Sequence, residues 1–184
     1  MQTRFLIITG MSGAGKTQVV RTLEDLKYFC IDNLPAALIP KFAELCRQTS
    51  ESNVALVVDV RGGQFFDKLL QVLDEITASG QKYELLFLDA DDATLVRRYK
   101  ETRRRHPLGD SDTLLDNLAQ ERQLLEPLLE KASYIINTSE LNAAELKNRI
   151  KELFSTDNER ERMGIVVRSF GFKHGLPLDS DLVL

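Results

Sequence analysis

The chain has 184 residues, enough for one full domain with a well-buried core and too few for a second of ordinary size. Its composition, 43% hydrophobic and 28% charged, is that of a globular protein in water, and its longest apolar runs are far too short to span a bilayer. A formal net charge of −4 argues against wholesale coating of nucleic acid by this chain.

Taken from the start, Met1 to Ile8 leads straight into a glycine-rich stretch, leaving no room for the apolar core and cleavage site of a signal peptide. The expected compartment is the cytoplasm. Cys30 and Cys46 form no C-x-x-C pair, and with His106 and His174 as the only histidines no zinc-ligand set can be assembled, so both thiols read as reduced.

The apolar run Phe5 to Thr9 predicts a first strand, and Gly10-Met11-Ser12-Gly13-Ala14-Gly15-Lys16-Thr17 follows it directly. This is the pattern G-x-x-x-x-G-K-[ST], a phosphate-binding P-loop. Glycines 10, 13 and 15 let the backbone wrap closely enough for its N–H groups to point at a β-phosphate, where the partial charge of a helix N-terminus adds to them. Lys16 is placed to bridge the β- and γ-oxygens, and Thr17 to offer its hydroxyl to Mg²⁺. A nucleoside triphosphate is the expected ligand, ATP or GTP, with the base left open because no N-K-x-D or S-A-K motif occurs.

Beyond the loop, apolar runs rich in Val, Ile, Leu and Phe alternate with amphipathic stretches, the signature of βαβ units around a parallel sheet. Strands are expected at Tyr28 to Asp32, Val54 to Asp59, Tyr83 to Leu88 and Tyr134 to Asn137, all buried. Helices are expected at Lys16 to Leu26, Ala36 to Thr49, Gln64 to Ser79, Asp92 to Arg104, Leu114 to Leu129 and Ala143 to Phe154, each with apolar residues at three- and four-residue steps. Gly80 reads as a helix stop, and Asp91 and Thr138-Ser139 as caps. The fold class is therefore α/β: a P-loop NTPase with an adenylate-kinase-like, five-stranded parallel sheet and helices on both faces.

The second strand ends in Ile31-Asp32-Asn33-Leu34-Pro35. Asp32 is either an acceptor contact or base at the carboxyl-end crevice, or an Asx turn and helix cap. Two acids follow later strands and could hold the water shell of Mg²⁺, Asp59 and Asp89. Asp59 is favoured, because the strand beside the P-loop strand is usually the third in sequence and because Val60, Arg61 and Gly62 follow it, an arginine and flexible backbone suited to a phosphate. No Glu follows Asp59, so any hydrolysis is expected to be slow. Catalytic weight would then rest on Lys16, Asp59 and Asp32.

The densest basic run is Arg97, Arg98, Lys100, Arg103, Arg104, Arg105 and His106. Three readings stay open: a lid whose arginines, Arg97 and Arg104 among them, close over the triphosphate; a solvated helix face; or an RNA-phosphate patch. His106 beside Pro107 reads as a loop residue rather than a catalytic base. Asn137-Thr138-Ser139 falls where a nucleobase usually rests. The polar run from Ser155 to Met163 reads as a linker, so residues 1–154 form the nucleotide-binding domain and residues 164–184 the start of a second, cut short because these pieces cannot bury a core alone.

The P-loop, the Asp32-Asn33-Leu34-Pro35 element, the Asp59-Val60-Arg61-Gly62 element, the basic run and the tail Phe170-Gly171-Phe172-Lys173-His174-Gly175 occur in an order that resembles the RapZ/YvcJ family of nucleotide-binding proteins, over essentially the whole chain. The resemblance implies an ATP site at Gly10 to Thr17, a GTP site at Asp59 to Gly62, and ATPase and GTPase activity. It further implies, for some members, an RNA-binding adapter role that directs a ribonuclease to a small regulatory RNA, a role resting largely on the carboxyl-terminal domain. Thr17 stands where the family commonly has Ser and keeps the hydroxyl. A metabolite kinase using Asp32 and an RNA-binding module remain as rival readings. A homo-oligomer is allowed, since nothing in the sequence sets the oligomeric state.

Overall fold

A computed structural model describes residues 4–49, 53–58, 63–80, 82–102, 106–109 and 113–155, together with Ser169 and Gly171. Its strands are β1 (Arg4–Gly10), β2 (Phe29–Asp32), β3 (Asn53–Val57), β4 (Glu84–Asp89) and β5 (Tyr134–Asn137). Its helices are α1 (Lys16–Asp25), α2 (Ile39–Thr49), α3 (Gly63–Ala78), α4 (Asp92–Thr102), α5 (Leu114–Glu130) and α6 (Ala143–Phe154).

The strands form one parallel sheet in the order β2-β3-β1-β4-β5. Chain order reverses at β1, which lies between β3 and β4, so a crevice opens at the carboxyl end of β1. Consecutive residues Phe5, Leu6, Ile7 and Ile8 are all sealed from water, which requires helices over both faces of the sheet. α1 packs against α6, while α3 contacts α2 and α5, and α5 contacts α4.

Only the three inner strands are fully buried. β2 and β5 are edges with half-open faces, Phe29 at 51% and Ile135 at 58% exposure, so the expectation of buried strands throughout does not hold at the rims. Strands with one free edge cannot be covered as β1 is. The stretch expected as one helix from Ala36 is a 3₁₀ turn (Ala36–Leu38) followed by α2, with Pro35 at its start and the Leu38 N–H donating to the Pro35 carbonyl. Pro40 lies in the first turn of α2, where its missing N–H costs nothing.

Stop signals behave as expected at Gly80, whose φ of 75° closes α3, and at Asp91, whose carboxylate accepts the Thr94 N–H at 2.6 Å. That bond, with the Ser139 hydroxyl close by, holds the Asp91 carboxyl below the usual carboxylate range. The cap of α6 is Asn142, not Thr138-Ser139. Asn142 accepts from the Ala144 and Glu145 amides while Glu145 takes the Asn142 N–H, a complete capping box. Thr138 and Ser139 are drawn instead into contacts with α4 and β4, described below.

The end of the sheet away from the crevice is bolted shut. Arg4 grips both oxygens of Glu84 and lies 4.9 Å over the Phe154 ring, and the Tyr28 hydroxyl reaches the Phe154 carbonyl at 3.3 Å. Of the linker expected at Ser155 to Met163 only Ser155 is described, as the C-cap of α6, and the second-domain start from 164 lies outside the described residues, Ser169 and Gly171 apart.

Candidate functional site

The loop from Gly10 to Gly15 joins β1 to α1 at the crevice, and its backbone requires the glycines it has. Gly10, Gly13 and Gly15 have φ values of 130°, 90° and 102°, a region that side chains strain. At Gly10 there is also no room, since a Cβ would stand 2.0 Å from the Leu88 carbonyl oxygen. That carbonyl accepts the Met11 N–H at 2.9 Å, so β4 and the loop are in direct backbone contact.

Gly15 caps α1, and Gln18 and Val19 both return their N–H groups to its carbonyl. The Gly13, Gly15 and Thr17 amides find no protein acceptor among the described residues, while Ala14 closes a turn onto Met11. A ring of unspent N–H groups at a helix N-terminus is an anion cradle. Lys16 arches over it, its Nζ donating to the loop's own Gly10 and Met11 carbonyls at 2.7 and 3.2 Å. Thr17 is exposed beside it and carries a hydroxyl, the oxygen-donor type a hard cation takes. No cluster of three His, Cys, Asp or Glu suited to a metal occurs among the described residues.

Of the two acids considered for the metal, Asp89 is occupied. Arg122 of α5 donates to both its oxygens, at 2.9 and 3.0 Å, and also to the Ala90 carbonyl and to Asp92. Burial works against the Arg122 cation, but its Asp92 and Asp89 bonds and their charges outweigh it and raise its pKa. The third strand does lie beside β1, and the Val58 N–H continues the ladder onto the Ile8 carbonyl at 2.9 Å. Asp59, Val60, Arg61 and Gly62 lie outside the described residues, as do Arg103, Arg104 and Arg105.

Asp32 is exposed at the carboxyl end of β2. It does not cap the following turn: that turn has no side-chain cap, and the Asn33 N–H, at a φ of 59°, donates to the Val57 carbonyl.

On α4 the cation that meets the loop is Arg98. Its guanidinium donates to the Gly13 carbonyl at 3.1 Å, to the Thr138 hydroxyl at 2.9 Å and to the Thr138 carbonyl at 2.7 Å. Burial and the neighbouring Arg97 charge lower its pKa while leaving it a cation at neutral pH. Arg97, singled out from the run, is exposed on the adjacent helix position. Thr138, buried, has its hydroxyl within 3.0 Å of the Ala14 carbonyl and 3.1 Å of the Asp89 carbonyl, so the loop after β5 is tied to both the P-loop and β4.

Sequence reasoning missed Glu121 entirely. This α5 carboxylate is 1% exposed and accepts the Ser12 N–H at 3.1 Å on each oxygen and the Ser12 hydroxyl at 2.6 Å. His106, a loop residue as expected, is nevertheless buried, with its Nε2 3.1 Å from the second Glu121 oxygen. A signal was available. Leu118, Leu125 and Leu128 form the buried stripe of α5, and Glu121 interrupts it in register.

The sequence model of the RapZ-like N-terminal domain matches residues 3–158. A nucleotide-binding protein of Clostridium botulinum (strain Hall) is 53% identical over 183 residues, covering 98% of this chain and 62% of that protein. One from Desulforudis audaxviator is 53% identical over 184 residues, covering 99% of this chain and 63% of that protein. The chain thus spans somewhat under two thirds of the length of these relatives. Among solved structures, a shikimate kinase from Bacteroides thetaiotaomicron superposes with a TM-score of 0.56 at 21% identity, over 82% of this chain and 97% of that one. The fold is that of the P-loop kinases.

Proposed function

The chain belongs to the RapZ-like N-terminal domain family, and we propose that it binds a nucleoside triphosphate with Mg²⁺, ATP or GTP, hydrolyses it slowly, and uses its nucleotide state to regulate partners. One observation carries the reading. The unspent amides of Gly13, Gly15 and Thr17 surround the start of α1 with Lys16 poised above them, a cradle complementary in charge and shape to a polyphosphate. That the relatives are nucleotide-binding proteins supports it.

In this reading Gly10 to Thr17 hold the phosphates, and Thr17 and Asp59 hold the metal. Arg97 and Arg104 reach the nucleotide from the basic run, and Asp59 to Gly62 serve GTP by family resemblance. The occupation of Asp89 by Arg122 supports Asp59 as the metal's acid, since a carboxylate already shared by a guanidinium is a poor anchor for a cation's water shell. RNA or a ribonuclease as partner, and a homo-oligomeric state, belong to the whole protein and are proposed from the family alone. Among the described residues no helix is long and apolar enough to cross a membrane. The cytoplasm is the compartment proposed.

The test is titration with a fluorescent ATP analogue. Lys16→Ala should abolish binding, and unchanged affinity in that variant would sink the reading. A second reading, phosphoryl transfer to a metabolite, is favoured by the exposure of Asp32 at the same end of the sheet. Turnover products separate the two: free phosphate for the first, a phosphorylated metabolite for the second.

A further inference from the structure

A buried carboxylate is costly unless hydrogen bonds and charge compensate it, and Glu121 occupies a stripe position that a leucine would fill without that cost. What a leucine cannot do is accept. Glu121 takes the N–H and the hydroxyl of Ser12 together, and a third bond on its other oxygen. The direction of that third bond follows from its neighbour: the Leu108 N–H donates to Nδ1 of His106 at 3.2 Å, so in the neutral ring the proton sits on Nε2 and points at Glu121. The imidazole is itself held against the Tyr99 ring, at a centroid distance of 5.3 Å, and Tyr99 lies 3.5 Å from where a Cβ of Gly13 would be.

The outer side of the P-loop is thus backed by a shell of α4 and α5 residues that converge on one peptide group. In a loop with three left-handed glycines, the orientation of that peptide decides which way the following amides face. We propose that Glu121 is a positioning residue for the phosphate site: by turning the Ser12 amide outward, away from the ligand, it keeps the amides of Gly13, Gly15 and Thr17 directed inward. His106 fixes the carboxylate for this task. The inference rests on nucleotide binding at the P-loop.

Glu121→Gln keeps shape and volume but turns one acceptor into a donor, which then faces the His106 N–H. His106→Phe keeps the ring against Tyr99 and removes the N–H. Ser12→Ala removes one bond and leaves the loop backbone intact. Dissociation constants for a fluorescent ATP analogue are measured well below each variant's unfolding temperature, with circular dichroism showing the fold.

Glu121→Gln should weaken binding about tenfold and Ser12→Ala about threefold. Adding His106→Phe to Glu121→Gln should weaken it no further, because both act through one carboxylate. A role in stability alone would lower the melting temperature and leave the affinity of the folded protein unmoved. Affinity within twofold of the parent in folded Glu121→Gln overturns the proposal, and if that variant does not fold, unchanged affinity in Ser12→Ala does so. A parent chain that binds no nucleotide overturns the functional reading and this proposal together, whereas parent binding with unaffected variants overturns this one alone.

Discussion

The Leu88 carbonyl oxygen stands 2.0 Å from where a Cβ on Gly10 would have to be, and the same oxygen receives the Met11 amide. Gly10→Ala therefore cannot be absorbed by a side-chain rotation; either β4 or the loop must move. It should cost at least about 3 kcal/mol by urea denaturation. Gly80 is the control, with φ of 75° but nothing within 4 Å of its Cβ direction, and Gly80→Ala should cost only about 1 kcal/mol, the left-handed penalty alone. Equal costs would show that space at Gly10 is not the constraint.

Arg98 and Arg97 are neighbours in sequence with different surroundings. Arg98→Ala removes three hydrogen bonds to Gly13 and Thr138, and is expected to cost about 1–2 kcal/mol of stability. Arg97→Ala, at an exposed position, should stay within about 0.5 kcal/mol. Thermal and chemical unfolding of the two variants decide it.

Asp89 and Asp59 divide in the same way. Asp89→Asn loosens the Arg122 fork and should cost about 1 kcal/mol, with the Mg²⁺ dependence of ATP affinity preserved. Asp59→Asn should reduce that dependence by about tenfold if Asp59 anchors the metal's water shell. Calorimetric titrations with and without Mg²⁺ separate the two, and loss of metal dependence in Asp89→Asn would reverse the assignment.

Burial, with the Glu24 charge adding to it, pushes the Cys30 thiol from about 9 up to about 12. Below pH 9 the thiol is neutral both folded and unfolded and no stability depends on it. As pH rises from 9 toward 12, the unfolded chain ionises first and the folded state, holding its proton, loses stability. At pH 8 a thiol reagent should modify native Cys30 far more slowly than free cysteine, with the rate recovering in denaturant. Fast modification of the native protein would contradict the half-buried placement of this thiol against the core.

The P-loop end of the sheet was legible wherever backbone geometry dictates residue type. The loop's glycines, its lysine and the start of α1 appear in sequence because only those residues satisfy the left-handed turns and the phosphate's charge. The sheet followed from its apolar runs, and the third strand lies beside the P-loop strand as expected. Contacts that cross the chain were not legible. The stripe of α5 marks Glu121 as out of place among leucines, but does not show that Ser12, 109 residues away, is what it meets. Thr138 has the chemistry of a cap but spends it on Arg98 and Ala14, leaving Asn142 to start α6. In both cases a polar side chain was claimed by tertiary structure before its local use could be.

α6 begins with Leu146 pressed toward Gly15 and ends with Phe154 under the Arg4 guanidinium. Its 12 residues make a rod of about 18 Å that touches the P-loop at one end and the opposite pole of the sheet at the other. Ser155 caps the helix at that far pole, its N–H donating to the Lys151 carbonyl. A rearrangement of the P-loop that displaces Leu146 would tilt this rod and carry the motion to Ser155, at the pole farthest from the loop.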